Sequence, residues 1–242
     1  MAVTFDNGAD YAESRPTYPP ELGPLLAAQA PRSAVALDVG CGTGQLTEIL
    51  TDEFATTIGT DISLSQVRAA RGTALYTVAD ASSLPLKDHS VDLVTVAQAA
   101  HWIEVEPFYE EVRRVATPGA LIALISYGLC IIDDAETDRI FQEFYAGEFH
   151  DFWDPRRIHV ETGLSRLPFP FERVAINSPD IIKSMTVHDF LGYVETWSAS
   201  TSARKDGHGY LLDRFAENLE LVWGSVTRQV RWPVTVIAGV TC

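Results

Sequence analysis

The sequence predicts an α/β chain built on a doubly wound, mostly parallel sheet, with its ligand at the carboxyl ends of the strands. Three observations lead there. Short apolar or β-branched runs alternate with helix-length amphipathic segments as far as Tyr127 of the 242-residue chain. The run from Val91 to Gln98 is almost continuously apolar, as strands covered on both faces of a parallel sheet are. A glycine-rich turn, DVGCGTG from Asp38, follows directly on the first run.

Taken in order, Val35 to Val39 is a strand that ends in that turn, and Gly44 to Phe54 is a helix with Leu46, Ile49, Leu50 and Phe54 at helical spacing. Thr56 to Ile62 is the second strand. Ser63 then caps a helix with Leu64, Val67 and Ala70 on one face, and Gly72 stops it. Ala74 to Ala79 is a third strand, Asp80 to Ser90 a polar loop, and Val91 to Gln98 the fourth strand. Glu106 to Ala116 is amphipathic, with Phe108, Val112 and Val115 inward; Pro118-Gly119 ends it, and Ala120 to Tyr127 is the fifth strand. Beyond Tyr127, Asp133 to Phe149 reads as helix, Asp151 to Pro170 as irregular and aromatic, and Phe171 to Ser178 as strand. Val187 to Trp197 and Tyr210 to Trp223 read as helices and Gln229 to Val240 as a closing strand. The segment after the fifth strand is expected to form an inserted cap over the site.

Bulk properties narrow the function. A net charge of −15 and the lack of a basic stripe argue against nucleic acid as partner. Three cysteines, Cys41, Cys130 and Cys242, show no paired metal spacing and leave an odd number for disulfides, which points to a reducing, cytoplasmic setting. No apolar stretch reaches the roughly 20 residues of a membrane helix, and the N-terminus shows no leader-like run. The histidines show no H-E-x-x-H spacing, so no metal is expected.

The glycines at Gly40, Gly42 and Gly44 read G-x-G-x-G, and Gln45 stands where a dinucleotide fingerprint needs its third glycine. Asp38 would also set a negative charge near a pyrophosphate and repel it. A cationic, phosphate-free nucleoside suits the turn better, and S-adenosylmethionine has those features. Asp61, closing the second strand, is placed to accept hydrogen bonds from both ribose hydroxyls.

The stretches LDVGCGTGQ, GTDIS, VADASSLPLKDHSVDLVTVAQAAHWI and FYEEVRRVATPG resemble the successive motifs of class I S-adenosylmethionine-dependent methyltransferases, in particular the methyltransferase type 11 group. YAESRPTYP paired with AQAAHW resembles the trans-aconitate methyltransferase-like branch. The resemblance covers about residues 10 to 127. It implies a Rossmann-like methyltransferase fold with an antiparallel C-terminal strand and a helical cap. It also implies one domain over 1–242: a segment 1–30 over the cofactor, a cofactor-binding core 31–128, a cap 129–170, and 171–242 completing the sheet. Residue by residue, it implies that Asp38, Gly40 and Gly42 line the methionine and ribose side and that Asp61 holds the ribose. Asp80 and Ala81 would read the adenine, and Gln98 would lie beside the sulfonium. Tyr11, Arg15 and Tyr18 would fold over the cofactor. Ala120 departs from the pattern, where a second glycine is usual after Pro-Gly.

Each assignment has a plainer alternative: Asp38 as a turn acid, Asp61 as a helix-start acid, Asp80 as an Asx turn, Tyr11 and Tyr18 as packing. His101 and Trp102 follow the fourth strand, where an acceptor would meet the methyl group. His101 either takes a proton from the acceptor or walls the pocket, the second being preferred. Trp153 joins His101 and Trp102 as a candidate substrate contact. Phe141, Phe144, Tyr145, Phe149, Phe152 and Trp153 form an aromatic series, of which Phe141, Phe144 and Tyr145 at helical spacing read first as core, and Arg156 and Arg157 read as solvated charges rather than an anion site. The expected reaction is O-methylation of a small molecule, on a carboxylate or hydroxyl, yielding S-adenosylhomocysteine, by a monomer or homodimer. C- or N-methylation on the same fold is an alternative. A dinucleotide-dependent oxidoreductase or a non-catalytic cofactor binder is a rival of another class.

Overall fold

The structure, a computed structural model, describes residues 15–241; Tyr11, the rest of residues 1–14 and Cys242 lie outside the described residues. The first half runs α1 (Leu22–Ala27), β1 (Val35–Val39), α2 (Gln45–Leu50), β2 (Thr56–Asp61), α3 (Leu64–Ala69), β3 (Leu75–Val78), β4 (Val91–Ala97), a short 3₁₀ turn (Ala100–Trp102), α4 (Val105–Val115) and β5 (Ala116–Tyr127). The Ser63 hydroxyl accepts from the Gln66 amide and starts α3. The second half runs β6 (Ile131–Ile132), α5 (Ala135–Ala146), a 3₁₀ turn (Glu148–Phe152), α6 (Arg157–Glu161), β7 (Glu172–Val174), β8 (Ile181–Met185), α7 (Val187–Glu195), α8 (Ser198–Lys205), α9 (Tyr210–Trp223), β9 (Arg228–Trp232) and β10 (Val234–Val240).

One seven-stranded sheet has the order β3-β2-β1-β4-β5-β10-β7. Its first five strands are parallel, and β10 runs antiparallel to both β5 and β7. The strand order reverses between β1 and β4, which opens a crevice at their carboxyl ends. Alternation along the strands sorts the side chains onto two faces. Ala36, Leu93, Leu121, Ala123 and Ile125 join Leu46 and Leu50 of α2 on one face. Leu37, Val39, Val94, Val96, Ile122 and Leu124 join Phe108, Val112 and Val115 of α4 on the other.

The first face continues without a break into the aromatic core of the cap, around Phe141, Phe190, Trp197, Phe215, Trp223 and Trp232. Phe144 stacks on Phe215 with ring centroids 4.0 Å apart. A three-stranded antiparallel sheet, β6-β9-β8, closes the cap. The cap elements therefore extend past the expected 129–170: of residues 171–241, only β7 and β10 complete the large sheet. The expected closing strand from Gln229 to Val240 is two strands, because Pro233 has no amide to give a ladder and lets the chain pass from one sheet to the other. The Phe171–Ser178 strand shrinks to Glu172–Val174, the three residues that pair with β10. Pro118-Gly119 sits within β5, where the register against β4 shifts between Val91 and Leu93.

Candidate active site

The glycine turn is drawn onto the end of β2 by two amides: those of Gly40 and Cys41 both donate to the Thr60 carbonyl, at 2.7 and 3.0 Å. Gly40 has φ +69°, and a Cβ there would lie 2.5 Å from the Ala99 Cβ. Only glycine lets the end of β4 approach the turn so closely. At Gly42, with φ +57°, a Cβ would meet a single atom, the Gln66 Oε1 at 3.8 Å. This α-carbon therefore borders open space, a cradle that a side chain would fill. Gly44 answers a different need, since a Cβ there would strike the Tyr76 hydroxyl. Tyr76 donates to Glu48 Oε1 at 2.8 Å and braces α2 against β3. The third glycine thus serves packing and not ligand approach, which accounts for the spacing that departs from a dinucleotide turn.

Three carboxylates surround the cradle. Asp38 is buried beneath the turn, accepting from the Thr47 hydroxyl at 2.7 Å and the Thr95 hydroxyl at 2.8 Å. Burial pushes its carboxyl up to about 6, against the lowering effect of those two hydroxyls. Asp61 accepts from the Gly42 amide at 2.9 Å on one oxygen and from the Ser63 amide at 2.8 Å on the other. Each oxygen keeps a second lone pair for a ligand. Asp80 forms an Asx turn, its Oδ1 accepting from the Ser82 amide at 2.8 Å and hydroxyl at 2.7 Å, and these bonds hold its carboxyl below the usual range. Its Oδ2 stays outside the turn.

Gln98 carries φ +53°, an unusual conformation for a side-chain-bearing residue. Its amide nitrogen donates to the Tyr127 carbonyl at 2.9 Å, and its amide oxygen accepts from Ser126 at 3.2 Å. With the side chain tied to β5, Gln98 presents its main chain at the crevice.

Asp38, Gly40, Gly42, Asp61, Asp80, Ala81, Gln98, Arg15 and Tyr18 line one cavity of about 1820 Å³, and His101, Trp102 and Trp153 line the same cavity. Arg15 donates to the Thr196 carbonyl at 3.0 Å and Tyr18 packs on Tyr127, ring centroids 5.9 Å apart, so both tie the start of the described chain to the cavity wall. His101 and Trp102 are in tilted ring contact at 4.8 Å. Burial, followed by the charges of Arg157 and Arg156, lowers the His101 imidazole to about 3, so it is neutral in ordinary buffers. Its Nδ1 is buried with no hydrogen-bond partner among the described residues.

The two arginines of the cap have different fates. Arg156 is held by Asp154 through Nε at 2.9 Å and a terminal amino group at 2.8 Å, and its guanidinium lies 4.2 Å from the Trp102 ring centroid. Arg157 stacks 4.3 Å from the Trp153 centroid and donates from Nε to the Tyr145 hydroxyl at 3.2 Å. These contacts depend on a fold in which the Ala100–Trp102 turn, cap and sheet meet, and residue spacing alone does not announce them. Buried Thr47 and Thr95 are equally silent in the sequence, while the left-handed Gln98 has no sequence signal at all. Among the described residues no group of three or more His, Cys, Asp or Glu is placed to hold a metal, and no helix is long and apolar enough to cross a membrane.

A family model for a methyltransferase domain matches residues 37–124. A protein of Dictyostelium discoideum whose name assigns it to the methyltransferases is 31% identical over 214 residues, 86% of this chain and 81% of its own length. A solved structure from Anaeromyxobacter dehalogenans, described as a candidate type II methyltransferase, matches with a TM-score of 0.86 and 37% identity over 93% of this chain and 97% of its own. The YcgJ protein of Bacillus subtilis shares the fold, with a TM-score of 0.50 and 17% identity over 91% and 97% of the two chains.

Proposed function

The chain belongs to the class I S-adenosylmethionine-dependent methyltransferases, and from that premise we propose that it methylates an oxygen of a small molecule, a carboxylate before a hydroxyl. The observation that carries this is the single cavity that joins the acid-lined glycine cradle to a wall of His101, Trp102 and Trp153. Its volume exceeds the 300–1,000 Å³ typical of a one-ligand pocket, leaving room for an acceptor beside the cofactor.

The residues fit S-adenosylmethionine. The bare α-carbon of Gly42 admits a ligand against the main chain, and the three acids around it suit a phosphate-free cation and repel a pyrophosphate. In this reading Asp61 receives the ribose hydroxyls, Asp80 and Ala81 the adenine, and the Gln98 main chain the methionine end. Arg15 and Tyr18, with Tyr11 beyond the described residues, cover it. When bound, the sulfonium supplies a methyl group open to in-line attack.

What the chain itself must do is align the acceptor and exclude water. A neutral imidazole with so low a proton affinity is a weak base, so His101 walls and orients the acceptor. A carboxylate is already ionised near neutral pH and asks for no base, which is why it stands before a hydroxyl. We further read the chain as one cytoplasmic domain, monomer or homodimer, acting on a small molecule rather than on nucleic acid, in keeping with its charge of −15. Placement in the trans-aconitate methyltransferase-like branch is also proposed, on AQAAHW and the N-terminal motif.

Incubation with methyl-labelled S-adenosylmethionine and a panel of carboxylic acids, phenols, alcohols and amines, followed by mass spectrometry, tests this. The expected product is a methyl ester. N- or C-methylated products alone, or no transfer to any member, contradict it.

A further inference from the structure

We infer that Arg157 is an anion-binding residue of the acceptor subsite, which selects acceptors carrying a carboxylate or phosphate group. The inference rests on the methyltransferase reading and adds to it a residue and a substrate chemistry. The guanidinium lines the same cavity as the glycine cradle and His101, on the wall contributed by the cap. Its plane is fixed from two sides, by the Trp153 ring at 4.3 Å and by the hydrogen bond from Nε to Tyr145 at 3.2 Å. Neither contact occupies the two terminal amino groups, which make no hydrogen bond to any described residue. These are the groups that take a carboxylate or phosphate side-on.

Arg157 also differs from its neighbour Arg156. Asp154 neutralises Arg156 through two bonds, whereas no described carboxylate comes within 4.0 Å of the Arg157 nitrogens. Glu161, one turn further on, accepts instead from Tyr145 at 2.5 Å and from His150 at 3.0 Å. A chain with 33 acidic residues against 18 basic ones has acids to spare for pairing an arginine. A half-buried guanidinium with no carboxylate in direct contact, Glu161 acting on it only from beyond the Tyr145 hydroxyl, keeps its terminal amino groups for a partner from outside the chain. The adjacent His101 is neutral and adds no competing cation.

The test is a thermal-shift titration of the full chain, with and without S-adenosylhomocysteine, using aliphatic and aromatic carboxylic acids, the matching primary amides and the matching phosphomonoesters. Wild type is expected to be stabilised by one of the anionic series and not by the amides. In R157Q the midpoint concentration for the anion rises about tenfold or more, and R157K recovers part of the effect. S-adenosylhomocysteine should stabilise wild type and R157Q alike, which shows that the variant is folded. Amides matching the acids, R157Q binding anions as wild type does, or no response to either anionic series would overturn the assignment. A missing response to S-adenosylhomocysteine in wild type counts against the cofactor reading instead, and the anion series is read as before. Carboxylates acting without phosphomonoesters, or the reverse, identifies which anion the subsite takes.

Discussion

Asp61 spends one lone pair of each carboxylate oxygen on the main chain, holding the Gly42 amide and the start of α3, and the proposed ribose contact would use the others. Asp61→Asn removes the charge and one acceptor oxygen. Affinity for S-adenosylhomocysteine by calorimetry is expected to fall about tenfold or more, the scale of a charge-assisted hydrogen bond. In the proposed reading His101 is a pocket wall and not a catalytic base. His101→Phe keeps the ring in the wall, and turnover at saturating acceptor is expected to stay within about threefold of wild type, where a lost general base costs roughly 10²–10⁴. The wild-type rate profile between about pH 5 and 9 should accordingly show no limb near 6.5 from this imidazole. A limb there that disappears in His101→Phe would restore the base role.

Elements meet at Asp92, whose fully buried carboxylate accepts from Arg32 at 2.9 Å, from the Val35 amide at 3.1 Å and from the Thr117 hydroxyl at 2.8 Å. It joins the starts of β1, β4 and β5, below the end of the sheet that carries the cavity. Asp92→Ala orphans these donors and is expected to cost about 3 kcal/mol, or roughly 6–12 °C in Tm, read by calorimetric melting. The elements of the parallel half were legible in the residues because each strand and helix there carries its own periodicity and stop signal, as Ser63 and Gly72 do. The cap was legible only in part. Ser198–Lys205 is a helix rich in serine and threonine, whose intrinsic preference is weak, and buried Ala199, Ser200 and Ala203 hold it by packing. α1 contains Pro24 and Gly23 and forms because Leu22 and Leu26 are buried against α2 and the sheet. Ile181–Met185 has no partner in sequence; its partner, β9, lies more than 40 residues downstream. In the site, the glycines and acids that line the cavity stand in motif order in the sequence, whereas Arg157, read there together with Arg156 as a solvated charge, is set apart from it only by the pairing of Asp154 with Arg156.

Across the whole molecule, an acidic chain has been shaped to receive a cation, and Asp38 links that to pH. Its folded carboxyl, at about 6, lies above the ordinary 3.8, so the folded state holds this proton more tightly than the unfolded chain. The stability it contributes is full below about pH 4 and lost as pH rises through 6. A sulfonium or ammonium bound beside Asp38, as proposed, would favour the ionised form, so that binding would expel the proton. Affinity for S-adenosylmethionine is therefore expected to rise between pH 5 and 7, more steeply than for S-adenosylhomocysteine, which lacks the sulfonium charge; Asp38→Asn flattens the difference. The cradle at Gly42 is where the whole account meets a single measurement: calorimetric titration of wild type and Gly42→Val with S-adenosylmethionine and with NAD. One site per chain for S-adenosylmethionine, none for NAD, and loss of binding when valine fills the cradle is the predicted result. Comparable binding of NAD, or unchanged binding of S-adenosylmethionine by Gly42→Val, would contradict it.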